Sequence, residues 1–184
     1  MKHLFAVTAA ALALAASPAL AQSKTNAASK KAGTAGRAAD QSFVMDAANG
    51  GMAEVELGKL AVQKASNDDV KKFGQRMVDD HTKANDDLKA VAASKNITLP
   101  KDTDAQHKAL VDRLSKLSGP AFDRAYLSEM LKDHRKDVND FKKEASSGRD
   151  PEVKAFASKT LPTLEEHLSI AQSTDKVVGT TGKK

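Results

Sequence analysis

The chain has 184 residues and a formal net charge of +5, and is 40% hydrophobic, 29% charged and only 4% aromatic, which suits one ordinary soluble domain. It contains no Cys and no Trp, which excludes a disulfide scaffold, thiolate metal sites, iron–sulfur clusters, thiol catalysis and a lipid-anchoring cysteine. Six Phe and one Tyr are too few for the aromatic girdles of a membrane barrel, and the alternating segments of such a barrel are absent.

The N-terminus reads Met1-Lys2-His3, an apolar run from Leu4 to Ala16, and then Ser17-Pro18-Ala19-Leu20-Ala21. These are the charged, apolar and small-residue regions of a secretory signal, so residues 1–21 are predicted to leave after Ala21 and the mature chain to reach a bacterial periplasm or beyond. The apolar run is shorter than the roughly 20 residues that span a bilayer, and no later segment is long enough, so no transmembrane segment is expected. Residues 22–41 are mainly Ala, Ser, Thr, Gly and Lys without a large apolar side chain, and are predicted to form a disordered basic linker. Residues 175–184 offer only Val177 and Val178 for burial and are predicted to be a disordered tail.

Without the signal the charge is +4, of which the linker residues before Asp40 carry +4, the tail +2 and residues 40–174 the remaining −2. The basic character therefore belongs to the ends, which could touch anionic lipid, lipopolysaccharide or wall polymer in the envelope. Nucleic-acid binding is not expected of a core without a net basic surface or interleaved aromatics.

Between Ser42 and Thr174 apolar residues recur at the helical period. Helix A is predicted from Ser42, as N-cap, to Ala65, with Phe43, Ala47, Gly51, Val55, Gly58, Ala61 and Ala65 on one side and glycines and alanines suited to close packing. Helix B starts near Asn67, carries Val70, Phe73, Met77, Ala84, Leu88 and Val91, and ends before Asn96 and Pro100. The connection from Asn96 to Gly119 is too long for a turn, and Leu110, Val111, Leu114 and Leu117 make part of it a short helix. Pro120 suits the first turn of helix C, whose stripe runs from Leu127 to Ala145. Asp150-Pro151 caps and opens helix D, in which Pro162 faces outward and should bend the axis. Two hairpins joined by a long crossover make an all-α fold, a ferritin-like four-helix bundle over residues 42–174. No fixed-period repeat of the solenoid kind is present.

At about 100° per residue, Glu54 falls in the middle of helix A's apolar face, and His81, His134 and His167 on those of helices B, C and D. Glu56 and Glu165 point outward, Glu166 lies on a flank, and Asp80 and Asp133 flank the stripe where either could orient a histidine. Burial of a carboxylate and three imidazoles is costly unless they are paired, hydrogen-bonded or metal-bound. One arrangement pairs Glu54 with a protonated histidine and bonds the other rings to backbone or Tyr126, setting helix register. The other uses Glu54, His81, His134 and His167 as ligands of a transition metal. Counted from the turns, Glu54 and His81 lie within roughly 3 Å in height, whereas His134 and His167 differ by roughly 7 Å, so a site using all four needs adjustment. Asp123 sits about 16 Å along helix C from His134 and reads as a helix-end residue. Met77 and Met130, each four before a histidine in a shared Met-x-x-Asp-His-x-Lys pattern, could add a thioether suited to copper(I) or simply fill the core.

The segments Glu54-Val-Glu-Leu-Gly-Lys-Leu-Ala61, Met77-Val-Asp-Asp-His81, Phe122-Asp-Arg-Ala-Tyr126-Leu and Leu161-Pro-Thr-Leu-Glu-Glu-His167-Leu resemble the bacterial DUF4142 family of predicted outer-membrane proteins. The resemblance covers about residues 42–174 and implies a ferritin-like bundle and an exported protein, associated with the outer membrane at most, and brings no settled activity. Ferritin-like di-iron proteins place Glu on two helices and Glu-x-x-His on the other two; here Val78, Leu131 and Leu164 stand three residues before the histidines, against a standard di-iron oxidase. No nucleophile elbow, phosphate loop or His-Glu-x-x-His motif is present. The expectation is an exported, non-enzymatic bundle of envelope or stress physiology whose Glu/His cluster binds a transition metal. A metal-dependent oxidase and a purely structural interaction module are the competing readings.

Overall fold

The computed structural model describes the backbone of residues 19–181 and the side chains of residues 36–179. Its helices are α1 (Ala19–Lys64), α2 (Asp68–Ser94), α3 (Ala105–Ser115), α4 (Gly119–Ser147) and α5 (Pro151–Thr181). The chain divides into two compact units, residues 1–34 and 35–184. Helices α2, α4, α5 and the part of α1 in the second unit form the bundle, and α3 lies in the crossover between its two hairpins. The secretory-signal reading rests on residues 1–21, of which 1–18 lie outside the described residues. No helix among the described residues is long and apolar enough to cross a membrane.

Helix starts follow local chemistry. The Asn67 side chain accepts from the backbone N–H groups of Asp69 and Val70 at the start of α2. Asp104 accepts from His107 N–H at α3, and Asp150 from those of Glu152 and Val153 at α5, where Pro151 opens the helix. Pro120 sits in the first turn of α4 after Gly119, whose φ of +59° is a left-handed conformation open to glycine. Asn96, at φ 56°, ends α2 in the same region of backbone space.

The two outer boundaries differ from expectation. Helix α1 begins at Ala19, so Ser42 is an interior residue rather than an N-cap, and the backbone of residues 22–41 is helical rather than linker. Alanine-rich sequence favours that conformation, and the bundle already includes Asp40, which is 4% exposed. Its carboxylate accepts the backbone N–H of Arg149 at 3.1 Å and of Asp150 at 2.7 Å, in the turn between α4 and α5. At the other end α5 continues to Thr181 instead of ending at Thr174, because Val178 is buried in the core.

A second buried aspartate does for the first hairpin what Asp40 does for the second. Asp123 on α4 accepts the Ser66 backbone N–H at 3.0 Å, the Asn67 N–H at 3.1 Å and the Ser66 hydroxyl. It is the helix-end residue the sequence suggests, and it fixes α4 against the α1–α2 turn. Where α1 and α2 cross, a Cβ built on Gly58 would lie 2.6 Å from the Gly74 carbonyl oxygen, so only glycine permits this approach. Pro162 is exposed on α5, as its outward placement requires.

Packing divides the interior into two apolar clusters. One gathers Leu57, Phe73, Met77, Leu114, Tyr126 and Met130 with their neighbours. The other gathers Val44, Leu88, Val138, Phe141, Phe156 and Leu164.

Candidate metal centre

Each bundle helix passes from one apolar cluster to the other at a polar residue. Glu54 lies between Ala48 and Leu57, His81 between Met77 and Leu88, His134 between Met130 and Val138, and His167 between Leu164 and Ala171. The four therefore form one polar layer across the bundle. Their exposures are 4%, 5%, 0% and 0%.

Glu54 Oε2 is 3.1 Å from His81 Nδ1 and Oε1 is 3.5 Å from His134 Nδ1, so Glu54 and His81 are level as expected. The expected offset between His134 and His167 does not keep the rings apart: His134 Nε2 is 3.3 Å from His167 Nδ1. Measured from the actual ends of α4 at Ser147 and α5 at Pro151, the mismatch in height is only about 4.5 Å at 1.5 Å per residue. Two imidazoles reaching toward each other span that.

The outer partners fix the tautomers. His134 Nδ1 is 3.1 Å from the Met130 carbonyl, which can only accept, so Nδ1 carries the hydrogen and Nε2 the lone pair. His167 Nε2 is 2.8 Å from Asp80 Oδ2, which places its hydrogen there and its lone pair on Nδ1. Two lone pairs thus face each other across 3.3 Å. His81, whose Nδ1 stands 3.1 Å from Glu54 Oε2, has its Nε2 buried without a hydrogen-bond partner. One nitrogen from each ring lies within 4.8 Å of the other two, a group capable of ligating a metal ion.

Electrostatics keep the rings neutral. Burial, and then the charges of the neighbouring rings, hold His81 well below the ordinary histidine value. Burial and His167 bring His134 down to about 3. His167 is lowered by burial, with the Asp80 carboxylate opposing. Glu54 is pushed well up, by burial first and by Asp137 and Asp133 next. Burial acts to raise Asp80, but hydrogen bonds from His167 and from Arg76, at 3.2 Å, outweigh it and hold the carboxyl low. Arg76 also donates to Glu166 at 2.6 Å, tying the α2 and α5 flanks together beside His167.

The structure brings together all four residues that the sequence singles out, but Glu54 meets the histidines at their outer nitrogens rather than on the side where the lone pairs converge. Asp80 takes the orienting position the sequence allows it. The Met130 carbonyl is what reaches the cluster, and Tyr126, expected as a possible partner, has its buried hydroxyl unpaired. Phe73 walls the site, its ring 6.1 Å from both Tyr126 and His167. Arg76 and Asp137 were not signalled as site residues; the four-residue spacing of Arg76 to Asp80 is the one cue the sequence offers for the former.

The model of a domain of unknown function, DUF4142, matches residues 22–174. No curated protein matches the chain. Among solved structures, a DUF305 protein from Streptomyces coelicolor, which its name ranks among secreted proteins, superposes with a TM-score of 0.65 at 15% identity, covering 77% of this chain and 92% of its own. A DUF305 fragment from Deinococcus radiodurans gives 0.64 at 15% identity, covering 77% and 95%. At such identity the likeness is one of fold.

Proposed function

The chain belongs to the DUF4142 family, and we propose that this member is an exported helical bundle that binds one divalent transition-metal ion through His81, His134 and His167. The observation that carries the reading is the pair of lone pairs facing each other across 3.3 Å. Two nitrogens about 2.05 Å from one tetrahedral ion stand roughly 3.3 Å apart. A cation between them turns a repulsion into two bonds, and the unpaired His81 Nε2 supplies a third. The wider of the separations has to close by about 1.5 Å to reach the same geometry, a movement within reach of a side chain.

The Met130 carbonyl, Asp80 and Glu54 then act on the outer nitrogens, the arrangement that fixes tautomers and raises ligand basicity. Nitrogen donors suit zinc, copper, nickel or iron rather than calcium or magnesium. Glu54, the fourth ligand that the sequence suggests, takes part from this outer side, and the ligand set is the three rings. With one carboxylate and no Glu-x-x-His pairs the donor set is that of a single-ion site, so the reading is binding rather than turnover, in a ferritin-like scaffold. Export is supported by the signal-like N-terminus and by the secreted name of the Streptomyces coelicolor neighbour. Envelope or stress physiology, with contact to the outer membrane through the basic N-terminal segment, is the setting that export and family suggest.

The test is elemental analysis of untagged protein purified from periplasm without chelator, beside a His81→Ala/His134→Ala variant. Near-stoichiometric metal in the wild type, lost in a variant that keeps its helical circular dichroism, is the expected result. Metal-free wild type that also refuses added Zn²⁺ or Co²⁺ would overturn the reading and leave the layer as a buried hydrogen-bonding device.

A further inference from the structure

We infer that the cleft walled by Asp46 and Asn49 of α1 and by Asp133 and Asp137 of α4 is the route by which a hydrated divalent cation reaches the histidines, with Glu54 as the carboxylate that passes it inward. This deepens the metal-binding reading and rests on it.

The cleft has a volume of about 280 Å³, and Glu54 forms part of its wall. A smaller cavity of about 30 Å³ is lined by Asp46, Glu54 and Asp137 together with His81, enough for one water-sized guest. Glu54 is thus common to the surface cleft and the ring cluster. It is 96% buried by its 4% exposure, and its Oε1 has no hydrogen-bond partner. Asn49, one and a half turns earlier on α1, donates through Nδ2 to the Met45 carbonyl at 3.2 Å and leaves Oδ1 buried and unpaired. Two unsatisfied acceptor oxygens on one wall lack a donor or a cation.

The opposite wall supplies charge. Two lysines border the cleft: Lys136 reaches Asp140 at 2.8 Å and stands 3.9 Å from Asp137, and Lys132 turns to Glu129 at 3.5 Å. Asp46, Asp104, Asp133 and Asp137 outnumber Lys132 and Lys136 around the cleft, so above about pH 7, where Asp137 has lost its proton, the cleft carries a negative excess. A groove of one sign between low-dielectric walls concentrates counter-ions and raises association rates by about 10–10³. Oxygen donors hold a hydrated borderline ion loosely and imidazoles hold it more firmly, so the gradient of affinity runs inward.

The experiment is stopped-flow mixing of the full chain with Co²⁺ alone at low ionic strength, its visible absorption reporting arrival at the nitrogen site. Asp46→Asn/Asp137→Asn should load at least about tenfold more slowly and finish with the wild-type spectrum and stoichiometry. Asp79→Asn/Asp112→Asn, on exposed positions of α2 and α3, removes the same charge elsewhere and should load at the wild-type rate. If the double variant loses its helical circular dichroism, Asp137→Asn alone carries the test. Equal rates for cleft and control variants would overturn the route, as would a changed final spectrum, which would make the cleft carboxylates ligands. Wild type that takes up no Co²⁺ at all would sink the metal reading itself, a failure visible before any variant is compared.

Discussion

Asp80 reaches the ring cluster from its solvent side, and what it does there is measurable. Asp80→Asn leaves the helix intact but replaces the charged acceptor of the His167 Nε2 hydrogen with a neutral amide, which holds that hydrogen less firmly and no longer raises the basicity of Nδ1. Metal affinity should fall about 10–100-fold, read by competition with a chromophoric chelator; unchanged affinity would contradict the tautomer assigned to His167. Asp137 makes the second prediction. Burial, with Asp133 and Asp140 adding, pushes its carboxyl up to about 7 against the attraction of Lys136. A group whose folded value is raised contributes most below its unfolded value of about 3.8 and loses that contribution as pH rises through about 7. Asp137→Asn should therefore be more stable than wild type at about pH 8, on the order of 2 kcal/mol, with the advantage shrinking towards pH 4; denaturant melts at both pH values check it. The inward placement of Glu54, His81, His134 and His167 was legible because helical spacing fixes direction. Asp137 was not, since spacing places it on a flank of α4 and does not say how far packing will bury it. The unpaired oxygens could not be read at all, because they depend on atoms and not on positions.

Helices carry a different kind of information. Their starts at Asn67, Ser118-Gly119-Pro120 and Asp150-Pro151 were legible because a cap and its acceptor lie within three residues of one another. The outer limits of α1 and α5 were not, since Asp40 acts on a turn 109 positions away and Val178 on a cluster assembled from other helices. The close α1–α2 crossing suggested by small residues is real, and it can be tested within one helix. Gly58→Ala presses a methyl against the Gly74 carbonyl and should cost about 1–3 kcal/mol, partly offset by helix propensity. Gly50→Ala, where an added Cβ meets nothing within 4 Å, should instead stabilise by about 0.5–1 kcal/mol. Chemical denaturation of the pair gives opposite signs if the crossing is as tight as described. Asp123→Ala strands two backbone donors and a hydroxyl and should cost about 2–3 kcal/mol.

For the molecule as a whole, a ligand held by three helices couples to the cooperative unfolding of the second compact unit. Co²⁺ or Zn²⁺ at about 100 times its dissociation constant should stabilise the fold by about 2.7 kcal/mol, raising the melting temperature by roughly 5–10 °C. The His81→Ala/His134→Ala variant should show no such rise by differential scanning calorimetry. The crossover length was enough to choose the architecture, because a connection of that size cannot be a turn. The two carboxylate latches carry a further meaning. Asp40 and Asp123 stand 83 positions apart, and so do Ser66 and Arg149, and Asn67 and Asp150. The same spacing pairs Val70 with Val153, Phe73 with Phe156, and Glu54 with Asp137. The two hairpins thus share this spacing at their latches, each lending the aspartate that closes the other's turn. Neither turn is therefore closed by its own hairpin, and a hairpin taken alone lacks the carboxylate that satisfies its exposed backbone donors.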